Sequence, residues 1–173
     1  SDLRTFSGDF TQQLTSATGR AGKTLAGQFV LAKGGKFRWQ VEKPYEQLLL
    51  ADGKQLLIYD ADLKQLSKRS MDSALSATPL ALLLGQSEVE NQFHLSPLPD
   101  RDGLAWLAAE PKTADAAVSQ LQFGFAQGVL MAMSWSDNFG QKSLLKLSNT
   151  SKNSTLAEGV FRFTPPPGTD IVQ

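Results

Sequence analysis

Apolar residues recur at every second position through most of this chain, a spacing that predicts strands with one buried face. In the first stretch Phe6, Phe10 and Leu14 share a parity, with Gly8 and Gln12 between them. Ser16 to Lys23 reads as a loop. From Leu25 the alternation returns, with Leu25, Gly27, Phe29 and Leu31 on one face and Ala26, Gln28 and Val30 on the other, until Gly34-Gly35 ends it. Phe37, Trp39 and Val41 then oppose Lys36, Arg38, Gln40 and Glu42 in a half-buried strand stopped by Pro44. Asp52-Gly53-Lys54, flanked by Gln47–Ala51 and Leu56–Tyr59, is the clearest hairpin signal, and Asp60-Ala61-Asp62 predicts another turn before Leu63–Lys68.

One segment departs from this rhythm. Thr78-Pro79-Leu80-Ala81-Leu82-Leu83-Leu84-Gly85 combines a hydroxyl cap, a proline at the first helical position, a leucine run and a closing glycine, which together predict a short apolar helix. Strands resume at Gln92–Leu95, Leu104–Ala109, Val118–Phe125, Val129–Trp135 and Ser143–Leu147. A last strand is expected at Val160–Thr164, before Pro165-Pro166-Pro167-Gly168. About ten or eleven short strands without βαβ alternation predict one antiparallel sheet. A sheet that wide curls, and one short helix is too little to fill its concave side, so an apolar cavity is expected. A packed sandwich fits the same counts.

Composition narrows the partners. Lysine plus arginine and aspartate plus glutamate stand at 17 each, so no global field favours nucleic acid, an anionic membrane or a polyacid. The absence of cysteine removes disulfides and thiol chemistry. The 173 residues show no internal repeat and no low-complexity linker, so residues 1–173 are expected to form one domain. The longest apolar run, near Leu80 to Leu84, is far shorter than the roughly 20 residues of a membrane span, which predicts a soluble chain. The opening Ser1-Asp2-Leu3 fits a processed or trimmed start, compatible with export.

The candidate chemistry is thin. His94 is the single histidine, set between Phe93 and Leu95 on the expected solvent side of a strand, so no usual zinc site or histidine-based triad can be assembled. Asp60 and Asp62 flank a turn, where aspartate serves the backbone. Gly34-Gly35-Lys36 lacks the spacing of a phosphate loop. Phe37, Arg38 and Trp39 could stack bases, but no basic stripe accompanies them. These residues predict no catalytic set, no cofactor and no metal.

Several short motifs point in one direction. Phe10-Thr11-Gln12, Lys36-Phe37-Arg38-Trp39 with Pro44, Ala51-Asp52-Gly53-Lys54, Ile58-Tyr59-Asp60, Thr78-Pro79, Asp137-Asn138-Phe139-Gly140-Gln141 and Phe163-Thr164-Pro165-Pro166-Pro167-Gly168-Thr169-Asp170 follow one another over nearly the whole chain. In that order they resemble the outer-membrane lipoprotein carrier proteins of Gram-negative bacteria. The resemblance implies a mainly β, unclosed (half) antiparallel barrel of about eleven strands, its apolar cavity covered by short helices. It implies a monomeric periplasmic carrier, not an enzyme. Such a carrier takes acylated lipoprotein cargo from an inner-membrane lipoprotein-releasing transporter to an outer-membrane lipoprotein receptor.

The site follows from the same likeness. Phe29, Leu31, Phe37 and Trp39 are the expected cavity wall, Phe37 matching an aromatic near the mouth that the family uses in cargo handover. Met131, Met133 and Trp135 share a strand parity and join that wall, because flexible thioethers suit a pocket accepting varied chains. Leu80, Leu82, Leu83 and Leu84 match the lid helix. Lys33 stands where the family has a lid-latching arginine, and lysine keeps the charge but loses the planar fork, so a looser lid is expected. The family's amphipathic N-terminal helix has only a remnant ahead of Phe6. Two other readings remain open on the residues alone: a carrier of a different amphiphile, and a binding module with a filled core.

Overall fold

The structure, a computed structural model, describes residues 4–70, 93–112, 118–137 and 139–172. Eleven strands run antiparallel to their neighbours, in chain order β1 (Thr5–Thr15), β2 (Ala21–Ala32), β3 (Lys36–Lys43), β4 (Gln47–Asp52), β5 (Gln55–Asp60), β6 (Gln65–Ser70), β7 (Phe93–Arg101), β8 (Leu104–Pro111), β9 (Val118–Ala126), β10 (Val129–Asp137) and β11 (Lys142–Lys152). A three-residue β12 (Asp170–Val172) adds in parallel to β6. All twelve belong to one sheet, ordered β12-β6-β5-β4-β3-β2-β1-β11-β10-β9-β8-β7. Its edge strands β12 and β7 do not pair with each other, so the sheet is unclosed. Among the described residues there is no helix; the leucine segment Thr78–Gly85, and with it Leu80, Leu82, Leu83 and Leu84, lies outside them.

Short hairpins explain why nearly all neighbours are antiparallel. Asp102-Gly103 and Gln127-Gly128 each place two consecutive residues at positive φ, the backbone twist that suits a two-residue connection between twisted strands. In the β4–β5 turn the Asp52 carboxylate accepts the Lys54 and Gln55 N–H groups, both at 2.9 Å. The Asp137 carboxylate does the same for Phe139 and Gln141 in the β10–β11 turn.

Register then sorts the side chains. On the inner face the ladder runs Phe6–Leu31–Phe37–Ala51–Leu56, with Gly8–Phe29–Trp39–Leu49–Ile58 beside it. Through β1 it continues into the other wing, Gln12–Leu145–Met133–Phe123–Leu107. Residues of both wings join in one buried apolar cluster.

Three expectations need correction. Val160–Thr164 is not a strand but turns and irregular chain, lying against the outer face. There Phe163 packs on Tyr59 with ring centroids 4.9 Å apart, and Arg38 Nη1 donates to the Val160 carbonyl at 3.3 Å. Leu48, Leu50 and Leu66 are buried on that same side, outside the main cluster, which is why β4 is apolar at successive positions. β7 extends beyond Leu95 through Pro97 and Pro99, because an edge strand can spare the N–H groups that proline lacks. And β12 is parallel, since the chain reaches β6 after a long outer crossing and not through a hairpin.

Candidate functional site

The inner face holds most of the expected cavity wall. Phe29, Leu31, Phe37 and Trp39 come from β2 and β3, Met133 and Trp135 from β10, and all six are buried in the same cluster. Aromatic packing organises the β1–β3 part: Phe10 stacks on Trp39 with centroids 3.9 Å apart and planes at 19°, and Phe29 sits tilted against both Phe6 and Trp39. The Phe10 ring can lie there because its cross-strand partner is Gly27, which offers no side chain to compete.

Met131 departs from the expected wall. Between Leu130 and Ala132 the β9–β10 register shifts by one residue, so Met131 is the extra residue of a β-bulge. Leu130, not Met131, therefore shares the side of Met133 and Trp135, and Leu130 belongs to the buried cluster while Met131 is half-buried outside it. Simple alternation cannot see an inserted residue. Lys33 lies exposed in the β2–β3 turn, where its backbone N–H donates to the Arg4 carbonyl at 3.0 Å. A latch to the leucine segment would involve residues outside those described.

Further residues belong to this face that were not named in the expected wall. Phe6, Phe10, Leu145 and Leu147 continue it through the middle of the sheet, and Leu121, Phe123 and Ala109 extend it into the β8–β9 wing. Toward β7 the same face opens: Phe125 and Leu107 are half-buried and Leu95 is 39% exposed. Their signal was available in the Leu121, Phe123, Phe125 alternation.

Polar groups sit where β1, β9, β10 and β11 end. Gln12 Nε2 donates to Ser143 Oγ at 3.2 Å and Ser136 Oγ donates to Gln120 Oε1 at 3.1 Å, so the buried hydroxyls of Ser136 and Ser143 are both engaged. They line a cleft of about 320 Å³ together with Thr15, Gln122, Ser134, Trp135 and Lys142. Trp135 thus borders both the apolar cluster and this polar cleft. His94 is exposed, and among the described residues no group of three histidine, aspartate or glutamate side chains could hold a metal ion.

Comparison with known proteins decides what kind of sheet this is. The family model described as outer membrane lipoprotein carrier protein LolA matches residues 1–164. The chain belongs to that family. Similar lipoprotein carriers include those named outer-membrane lipoprotein carrier protein from Bordetella avium, 42% identical over 99% of this chain and 82% of the relative. Another, from Cupriavidus necator, is 43% identical over 96% of this chain and 80% of the relative. Among solved structures, a LolA superfamily protein from Nitrosomonas europaea aligns with TM-score 0.53 at 12% identity, covering 94% of this chain and 92% of that one. A conserved protein from Thermus thermophilus aligns with TM-score 0.58 at 14% identity, covering 99% and 91%. These two share the fold of the carrier family.

Proposed function

We propose that this chain is a lipoprotein carrier that shields the acyl chains of its cargo on the inner face of the open sheet. The observation that carries the reading is the continuity of that face: one apolar cluster runs from Leu56 on β5 to Phe93 on β7 in a sheet that never closes. A closed barrel or a solid sandwich has a fixed interior, whereas an open sheet can spread its wings around a guest. Acyl chains need such a guest site, because each exposed methylene costs about 0.8 kcal/mol in water and a multiply acylated protein cannot cross an aqueous compartment bare.

In this structure Phe29, Leu31, Phe37, Trp39 and Met133 are closed to solvent. Cargo therefore enters by replacing side-chain contacts with acyl contacts of similar energy, which keeps binding reversible. Neither a nucleophile nor a base is required. The carrier works in the periplasm as a monomer, receiving lipoproteins from an inner-membrane releasing transporter and passing them to an outer-membrane receptor. The family assignment supports that route, and handover is assigned to Phe37, which lies near the β2–β3 turn opposite Leu31.

Native mass spectrometry with a triacylated lipopeptide tests the central claim. A one-to-one complex is expected, and Leu95→Glu, which puts a charge on the 39%-exposed part of the inner face, should weaken it while circular dichroism still shows the folded sheet. Absence of any complex with folded wild-type protein would overturn the reading.

A further inference from the structure

The end of the sheet that carries the β1–β2 and β10–β11 turns is built differently from its surroundings. β3 pairs with β2 only as far as Lys43 opposite Ala26, so the start of β2 and the turn before it overhang the β3 end. On the other side β11 keeps pace with β1 to Lys142 opposite Thr15. The two hairpin tips therefore project side by side, and Gly140 comes so near Ala17 that an added Cβ would lie 3.0 Å from the alanine methyl.

At this tip Phe139 is 89% exposed, the largest exposure of any big apolar residue described. Its backbone is held in place: Phe139 N–H and Gln141 N–H donate to the Asp137 carboxylate at 2.8 and 3.0 Å, and Gly140 N–H donates to the Asp137 carbonyl at 3.1 Å. A fixed turn that holds a phenylalanine in water gains nothing for folding. Within the two hairpins that form the tip, basic residues outnumber acids. Residues 11–24 contain Arg20 and Lys23 and no acid, and in 137–146 the single acid, Asp137, already serves the turn while Lys142 and Lys146 are basic. Arg20, Lys23 and Lys142 are all exposed, with Lys23 Nζ 5.4 Å from the ring centroid of Tyr45, next to the exposed Glu46 of the β3–β4 turn.

We propose that this paired tip touches an anionic lipid surface, Phe139 entering the interfacial layer while Arg20, Lys23 and Lys142 meet the headgroups. One aromatic ring covers about 150–250 Å², far below the roughly 1,000 Å² that a stable protein interface buries. That area suits a fluid apolar layer, where an aromatic with flanking cations gives weak, reversible attachment. The chain as a whole is neutral, so attachment depends on this local patch and fixes which end of the sheet faces the bilayer.

The proposal is tested without cargo, so its outcome is separate from that of lipopeptide binding. Wild-type protein is sedimented at low salt with vesicles of phosphatidylglycerol and phosphatidylethanolamine, and with vesicles of phosphatidylcholine alone. Binding to the anionic vesicles, weakened by added salt, is expected. Phe139→Ser should lower partitioning about ten-fold, the worth of roughly one buried side chain. Arg20→Glu with Lys142→Glu should remove binding. Phe139→Trp should bind with a blue-shifted emission that is readable because Trp39, Trp106 and Trp135 are buried. Equal partitioning of wild type and Phe139→Ser, or no partitioning of folded wild type, would overturn it. So would loss of lipoprotein transfer in Phe139→Ser by a protein that ignores vesicles, an outcome that assigns the tip to a protein partner.

Discussion

Gly27 is set by neighbours on two sides. A Cβ there would run into the Gln40 carbonyl oxygen of β3 and come 3.1 Å from the Phe10 ring, which uses the vacant position to lie on Trp39. Gly27→Ala should therefore destabilise the fold by roughly 2–3 kcal/mol through overpacking. An unchanged urea midpoint would refute that account. Asp52 acts through charge. Its pKa is held below the ordinary carboxylate value first by the Gln55 N–H bond, with the Lys54 N–H bond adding to it and partial burial opposing. A carboxyl whose folded pKa is depressed stabilises the protein fully above its unfolded value near ~3.9, and that contribution is lost as pH falls through the folded pKa. Asp52→Asn should therefore show a shallower loss of stability on acidification than wild type in urea titrations. Parallel decline of the two proteins would remove Asp52 from the acid response.

At the scale of elements, the C-terminal segment behaves as an outer cover for the β3–β6 wing. Its anchor is Phe163 on Tyr59, beside the buried Leu48, Leu50 and Leu66. Phe163→Ala should cost about 1–3 kcal/mol, combining lost apolar burial with the ring pair, and should raise binding of a hydrophobic dye by uncovering those leucines. If dye binding and the unfolding midpoint both stay at wild-type values, the segment is not a cover. The expected strand at Val160–Thr164 failed for a related reason. Phe163 is apolar because it rests on another element's outer face, and local alternation does not distinguish that from pairing. The Met131 bulge is a second case, since one inserted residue exchanges the faces of everything before it.

At the scale of the molecule, an open sheet has two edges to protect. β12 covers part of β6, and β7 carries Pro97 and Pro99, which remove two donors from the edge ladder. Replacing both prolines by valine should leave the fold intact but promote edge-to-edge association, detected as concentration-dependent dimers or aggregates in light scattering. A strictly monomeric double variant would show that the prolines are not guarding the edge. Openness matters for carriage as well, because a barrel closed by β7–β12 pairing would trap its interior.

Much of this was legible in the linear pattern. Strand positions, the inner face of β1 to β3 and the Asp-Gly turns all follow from alternation and residue type, which are local properties with a period of two. The meeting of β1 with β11, the joining of two wings into one cluster and the outer path of the C-terminal segment depend on contacts between residues far apart in the chain. So do the parallel β12 and the pairing of the two projecting tips. No local preference encodes such contacts, because each is the lowest-energy way to bury faces whose partners exist only after the sheet has formed. Alternation thus marked an apolar face, and tertiary packing decided which residues join it and that its edges stay apart.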